Sequence, residues 1–98
     1  MPALTAKEIS LQLKAVPNWS RRAKTILRTF KFAGFLNSIA FVNRLARKAQ
    51  KLNHHPAIDI RFDKVTLTLT THDQGGITEK DFCLARQSDA IFSKFSVP

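Results

Sequence analysis

Apolar and polar positions change period several times along the chain, and each change predicts an element. Thr5 followed three residues later by Glu8 forms a capping box, in which each side chain meets the other's backbone amide. Ile9, Leu11, Leu13 and Val16 follow with a loosely helical period, so a short helix is expected over residues 5–15, ended by Pro17-Asn18. In residues 25–32, TILRTFKF, the set Ile26, Arg28, Phe30 and Phe32 alternates with Leu27, Thr29 and Lys31. Aromatic and β-branched residues at period two read as a strand. Trp19 to Arg22 reads as a short partner strand that turns around residues 22–24.

Residues 35–53 give the clearest helix. At 100° per residue, Phe35, Ile39, Phe41, Val42, Leu45, Ala46, Ala49 and Leu52 fall within an arc of roughly 140°. Arg44, Arg47, Lys48 and Lys51 form a basic stripe on the opposite side. The Ile39, Val42, Ala46 and Ala49 side is expected to pack on the sheet. Two strands with strict period two follow. Ile58, Ile60 and Phe62 alternate with Asp59, Arg61 and Asp63, and Val65, Leu67 and Leu69 alternate with Thr66, Thr68 and Thr70. Asp63-Lys64 stands where a hairpin would turn. If the second strand continues to residue 71 and beyond, His72 shares the parity of the threonines and points to the polar face. Gly75-Gly76 breaks the chain, and Thr78 can cap a last helix from Glu79 to about Phe95. Its apolar side carries Phe82, Leu84, Ala85, Ile91, Phe92 and Phe95.

The order α-ββ-α-ββ-α predicts an α+β fold of two layers, a four-stranded antiparallel sheet covered on one face by helices. With 98 residues, the chain is expected to be a single domain, residues 1–98, with one modest core. Its 44% hydrophobic content is that of a globular chain, and no apolar run reaches the roughly 18 residues of a membrane span. The first ten residues lack the apolar stretch of a secretory signal, and a lone Cys83 makes no internal disulfide, so a cytoplasmic setting is expected. The net charge of +9 changes the picture more. It suits nucleic acid, an acidic partner or a small anionic ligand. We expect no specific nucleic-acid binding, only salt-sensitive phosphate contacts through the basic stripe.

Candidate chemistry concentrates between residues 54 and 81. His54-His55 precedes Pro56, which disfavours helix for His55 and sends the chain on extended. The pair either ends a helix as cationic cap residues, or places one imidazole on the open sheet and the other in the loop. Successive side chains on extended chain diverge, so His54, His55 and His72 are not expected to hold a metal, which needs three or four converging ligands. Asp81 falls within the apolar arc of the last helix, where a carboxylate must be satisfied. First-turn amides can do that; alternatively, Asp81 helps line a pocket with His72. Cys83 reads as a packing residue, and no phosphate-binding glycine loop is present.

Residues 51–81, KLNHHPAIDIRFDKVTLTLTTHDQGGITEKD, resemble the signature region of the pterin-4a-carbinolamine dehydratases. The family's His-His-Pro stands here as His54-His55-Pro56, its Thr-His-acid as Thr71-His72-Asp73, and its later Gly and helical Asp as Gly76 and Asp81. Trp19, the helix 35–53 and the Lys64-Val65 hairpin also fall where the family has them. Two positions depart: Gln50 replaces a usual acid, and Ile58 a frequent Trp.

The resemblance implies dehydration of 4a-hydroxytetrahydropterin to quinonoid dihydropterin, with no metal or other cofactor, recycling the pterin of aromatic amino-acid hydroxylases. It implies His54 and His72 as the acid–base pair and His55 as a substrate-binding or positioning group. Asn53, Thr70, Thr71 and Asp73 would line the pocket. Asp81 would orient a histidine, with Pro56 and Trp19 in support. It implies a homodimer or homotetramer, and the wide apolar arc of helix 35–53 with Phe92 and Phe95 of the last helix places the expected subunit contact on helices. A second reading, a dimerisation or coactivator-type binding module, follows from the animal members and draws on the basic stripe. The three histidines favour the enzyme, because a pure scaffold has no use for them.

Overall fold

The capping box closes α1 (Ala6–Leu13) as its residues require: Thr5 Oγ1 accepts from the Glu8 amide at 3.2 Å, and Glu8 Oε1 accepts from the Thr5 amide at 2.8 Å. The structure, a computed structural model, describes residues 2–95. The elements that follow are β1 (Ser20–Arg22), β2 (Thr25–Lys31), α2 (Phe35–Leu52), β3 (Ala57–Arg61), β4 (Lys64–Leu69), a 3-10 turn (His72–Gln74) and α3 (Glu79–Ser93). The four strands form one antiparallel sheet in the order β1-β2-β4-β3, matching the expected architecture. Among the described residues, no helix is long and apolar enough to cross a membrane.

Alternation decides which side of the sheet meets the helices. Ile26 and Phe30 on β2 pair in register with Leu69 and Val65 on β4, and all four are buried. Thr29 and Thr66 face the other way and share a 2.8 Å hydrogen bond between their hydroxyls. Arg28 lies on the apolar side of β2, and two contacts make this tolerable. Its guanidinium meets Asp89 on α3 at 2.7 Å, and its stem lets the charge sit 4.3 Å from the Phe30 ring centroid. Asp89 also accepts the Trp19 indole N–H at 2.9 Å.

Phe30 is fully buried at the centre of an aromatic cluster, with ring centroids 4.9 Å from Phe41, 5.0 Å from Phe92 and 6.0 Å from Trp19. Removing a ring from such a site forfeits its transfer energy and leaves a void. Phe30→Ala should therefore cost about 3–5 kcal/mol. A urea titration would show it as a lower midpoint at unchanged slope.

Four expectations shift. The buried stripe of α2 is Ser38, Phe41, Leu45 and Ala49; Ile39 and Val42 are only half-buried, and Ala46 faces solvent. The apolar arc was wider than one contact, and docking against β4 and α3 selected a line through Phe41 and Leu45. Second, the apolar residues of β3 are not covered: Ile58 and Ile60 lie on the sheet's outer strand, beyond the reach of the helix layer. Third, Phe62 belongs to the hairpin turn with Asp63, not to the strand, because Arg61 pairs with Lys64. Phe62 adopts a left-handed φ of 55° and is 69% exposed. Fourth, β4 stops at Leu69, so strand parity does not govern His72.

Candidate active site

Three chain reversals deliver the candidate residues to one end of the sheet. α2 ends on Asn53 in the left-handed conformation, φ 52°. Its amide bonds Gln50 O, and the His54 amide bonds Ala49 O at 3.0 Å. These two bonds make a Schellman end, which asparagine tolerates better than most side chains. Pro56 then starts the extended path into β3, so the histidine pair is held between a fixed helix end and a strand. Beyond β4, Thr71 and Gly76 exchange backbone hydrogen bonds at 3.0 and 3.3 Å, which closes the loop carrying His72. Gly75 closes the 3-10 turn at φ 71°, a conformation that favours glycine.

The third reversal starts α3. Thr78 Oγ1 accepts from the Lys80 amide, and the Thr78 amide donates to Asp81 Oδ2 at 2.9 Å. Asp81 is fully buried and accepts three donors. Besides the Thr78 amide, these are the Thr71 hydroxyl, at 2.9 Å from Oδ2, and His54 Nε2, 2.5 Å from Oδ1. Thr71 and Thr78 hydroxyls also lie 2.8 Å apart. The cap reading of Asp81 is realised, and Asp81 also bonds a histidine, but it does not line a pocket with His72. The histidine is His54, not His72, and Asp81 lies beneath the cleft instead of lining it.

A carboxylate that receives an amide and a hydroxyl takes an N–H from the imidazole as its third partner. His54 thus carries its proton on Nε2. Its Nδ1 makes no hydrogen bond among the described residues and is left to act toward a ligand. Only 11% of the His54 side chain is exposed, whereas His72 is open to solvent. His55 turns the other way, and its Nε2 lies 2.8 Å from Gln50 Oε1.

Asn53, His54 and His55 form one side of a cleft of about 240 Å³. Thr70, Thr71, His72 and Asp73 form another, and Lys80 from the first turn of α3 completes it. Every residue expected to bind or react therefore meets in one place. The supporting residues do not: Trp19 is in the core, bonded to Asp89, and Pro56 shapes the backbone without lining the cleft. The reading of single residues missed Lys80, whose only signal was its place beside Asp81. It also missed the Gln50–His55 contact, which a five-residue spacing across a helix end conceals. Among the described residues, no three metal-ligating side chains converge. Two imidazoles in one polar cleft, one of them fixed by a buried carboxylate, can move protons to and from a small ligand near neutral pH.

The model of the family described as "Pterin 4 alpha carbinolamine dehydratase" matches residues 2–91. A Chloroflexus aurantiacus relative, provisionally named a pterin-4-alpha-carbinolamine dehydratase, is 52% identical over 91 residues, covering 93% of this chain and 98% of its own. A relative from Picosynechococcus, with the same provisional name, is 49% identical and covers 90% of this chain and 96% of its own. The crystal structure of a transcriptional coactivator/pterin dehydratase from Brucella melitensis is 36% identical. It superposes with a TM-score of 0.88, covering 91% of this chain and 97% of that one. A pterin dehydratase-like RuBisCO assembly factor of the alpha-carboxysome, 23% identical with a TM-score of 0.61, shares the fold alone. Fold and cleft thus define a small α+β protein with a histidine-lined ligand site. The chain belongs to the pterin-4a-carbinolamine dehydratase family.

Proposed function

We propose that this protein dehydrates a 4a-hydroxytetrahydropterin to quinonoid dihydropterin and water, and that residues 1–98 act as one such domain. The observation that carries the mechanism is the Asp81–His54 hydrogen bond beneath a cleft that also holds His72. In the reaction the C4a–O bond breaks, N5 loses its proton, and a C4a=N5 double bond forms. The leaving hydroxyl takes up a proton and departs as water. Atoms and charge balance with one proton accepted and one donated, so two imidazoles are sufficient and no metal or covalent intermediate is required. Asp81 holds the Nε2 proton of His54 and so keeps Nδ1 available. His55, held by Gln50, binds or positions the pterin, with Asn53, Thr70, Thr71 and Asp73 as polar walls. After a separate two-electron reduction, the product rejoins the tetrahydropterin that serves an aromatic amino-acid hydroxylase, in a cytoplasmic setting consistent with one half-buried free cysteine.

Absorbance of quinonoid dihydropterin, formed from a synthetic 4a-carbinolamine with and without the protein, tests the reading. A rate equal to the spontaneous one would sink it.

A homo-oligomer belongs to the same proposal. Phe92 and Phe95, expected at a subunit contact, instead pack against Phe32 and Phe41. The exposed apolar side chains include Phe35 and Leu36 at the start of α2 and Ile58 and Ile60 on the open edge strand β3. Covering such groups with a second copy adds core that a domain this small lacks. Light scattering at micromolar concentration should give at least twice the 11.1 kDa chain mass. A monomer would count against it.

A further inference from the structure

His72 and Thr70 line two clefts, not one. On one side is the histidine cleft; on the other is a second opening of about 290 Å³ bounded by Lys24, Thr25, Gly75 and Gly76. The two meet at a shared wall that is held firmly, because the Thr70 hydroxyl donates to the Lys24 carbonyl at 2.7 Å. The β1–β2 turn is thus tied to the segment before His72. We propose that this second cleft is the subsite for the pterin's C6 substituent, and that Lys24 selects pterins whose C6 chain carries oxygen atoms, as hydroxyls or a phosphate.

The proposal rests on the dehydratase reading and on the covalent order of the pterin ring. Bonds change at C4a and N5, and C6 is bonded directly to N5. Whatever substituent C6 carries must leave the ring beside the reacting edge. That edge lies between His54 and His72. Beneath His54 the cleft is floored by the buried Asp81 at the start of α3. On the His72 side the structure opens into the second cleft. At Gly75 its floor is unobstructed, since a Cβ there would meet nothing within 4 Å, while Gly76 packs against Ala3. The exposed Lys24 makes no ion pair among the described residues, so its ammonium is free to meet ligand oxygens.

The test compares three carbinolamines: 6-methyl, 6-dihydroxypropyl, and a 6-substituted pterin ending in a phosphate ester. Lys24→Ala should raise KM about three- to tenfold for the oxygen-bearing substrates. It should leave kcat within about twofold and leave the 6-methyl KM unchanged. Lys24→Arg should restore the wild-type ratio, and Lys24→Glu should weaken the phosphate ester most. An effect confined to the ester assigns the subsite to anionic chains, and an effect on both assigns it to hydroxylated chains as well. Calorimetric binding of the stable 7,8-dihydropterins with the same substituents gives the comparison without turnover, so a failure of the dehydratase reading remains separable. Equal change for all three substituents, or none for any, overturns the proposal.

Discussion

Replacing His54 or His72 by alanine should slow dehydration about 10²–10⁴-fold, the usual contribution of one positioned acid or base. That equals roughly 3–5 kcal/mol of barrier. Pterin affinity should fall far less, because the lost interaction is made in the transition state. The double variant should cost less than the product of the single effects, since both imidazoles serve one proton exchange on one pair of atoms. His55→Ala should behave otherwise. Its Nε2 is engaged by Gln50, and it belongs to the binding wall, so KM should rise more than kcat falls. The measurement is initial rate above the spontaneous decay of the carbinolamine. Full wild-type activity in His54→Ala/His72→Ala would refute the acid–base assignment and move the histidine cleft toward a binding role.

Asp81 should separate stability from catalysis. Asp81→Ala strands the Thr78 amide and the Thr71 hydroxyl in a buried site, and each unsatisfied donor costs about 1–3 kcal/mol. Together the two should cost about 2–6 kcal/mol, a large part of the roughly 5–15 kcal/mol that holds a domain together. Asp81→Asn keeps the volume but offers one acceptor oxygen and an NH₂ where three donors converge. If the carboxamide nitrogen turns to His54, the imidazole must shift its proton to Nδ1. The variant should therefore melt only slightly below the wild type yet lose kcat about as severely as His54→Ala, at nearly unchanged KM. Urea melts and steady-state rates on the same preparations read both effects. Asp81→Asn with full kcat would show that the His54 tautomer does not matter.

The family resemblance singles out the histidines, the threonines and Asp81, but it says little about which contacts join them. Asp81 illustrates this. Its position in an apolar arc showed that something must satisfy it, and a cap by amides at the helix start was local enough to read; the Thr78 amide fills that role. Its partner among the histidines was not, because His54 lies 27 residues away and reaches it only when α2 and α3 dock. His72 illustrates the reverse error. Period two along Thr66, Thr68 and Thr70 invited extrapolation, but the Thr71–Gly76 bridge ends the strand and turns His72 on a 3-10 loop.

By itself the sequence determined what neighbouring residues decide among themselves. The Thr5–Glu8 and Thr78–Asp81 caps, the alternation of β2 and β4, and the helix that stops before His54-His55-Pro56 all rest on contacts within a few residues. They yield the α-ββ-α-ββ-α order and one face for the core. Tertiary structure decided the rest. Docking chose Ser38, Phe41, Leu45 and Ala49 from a wider arc, left Ile58 and Ile60 uncovered at the sheet edge, and paired the half-buried Arg28 with Asp89. It also brought a helix end, a loop after a strand and a helix start to one point, which made the histidine cleft. A side chain's partner across layers depends on how those layers pack, and packing is set by the whole core at once, not by the period of any one segment.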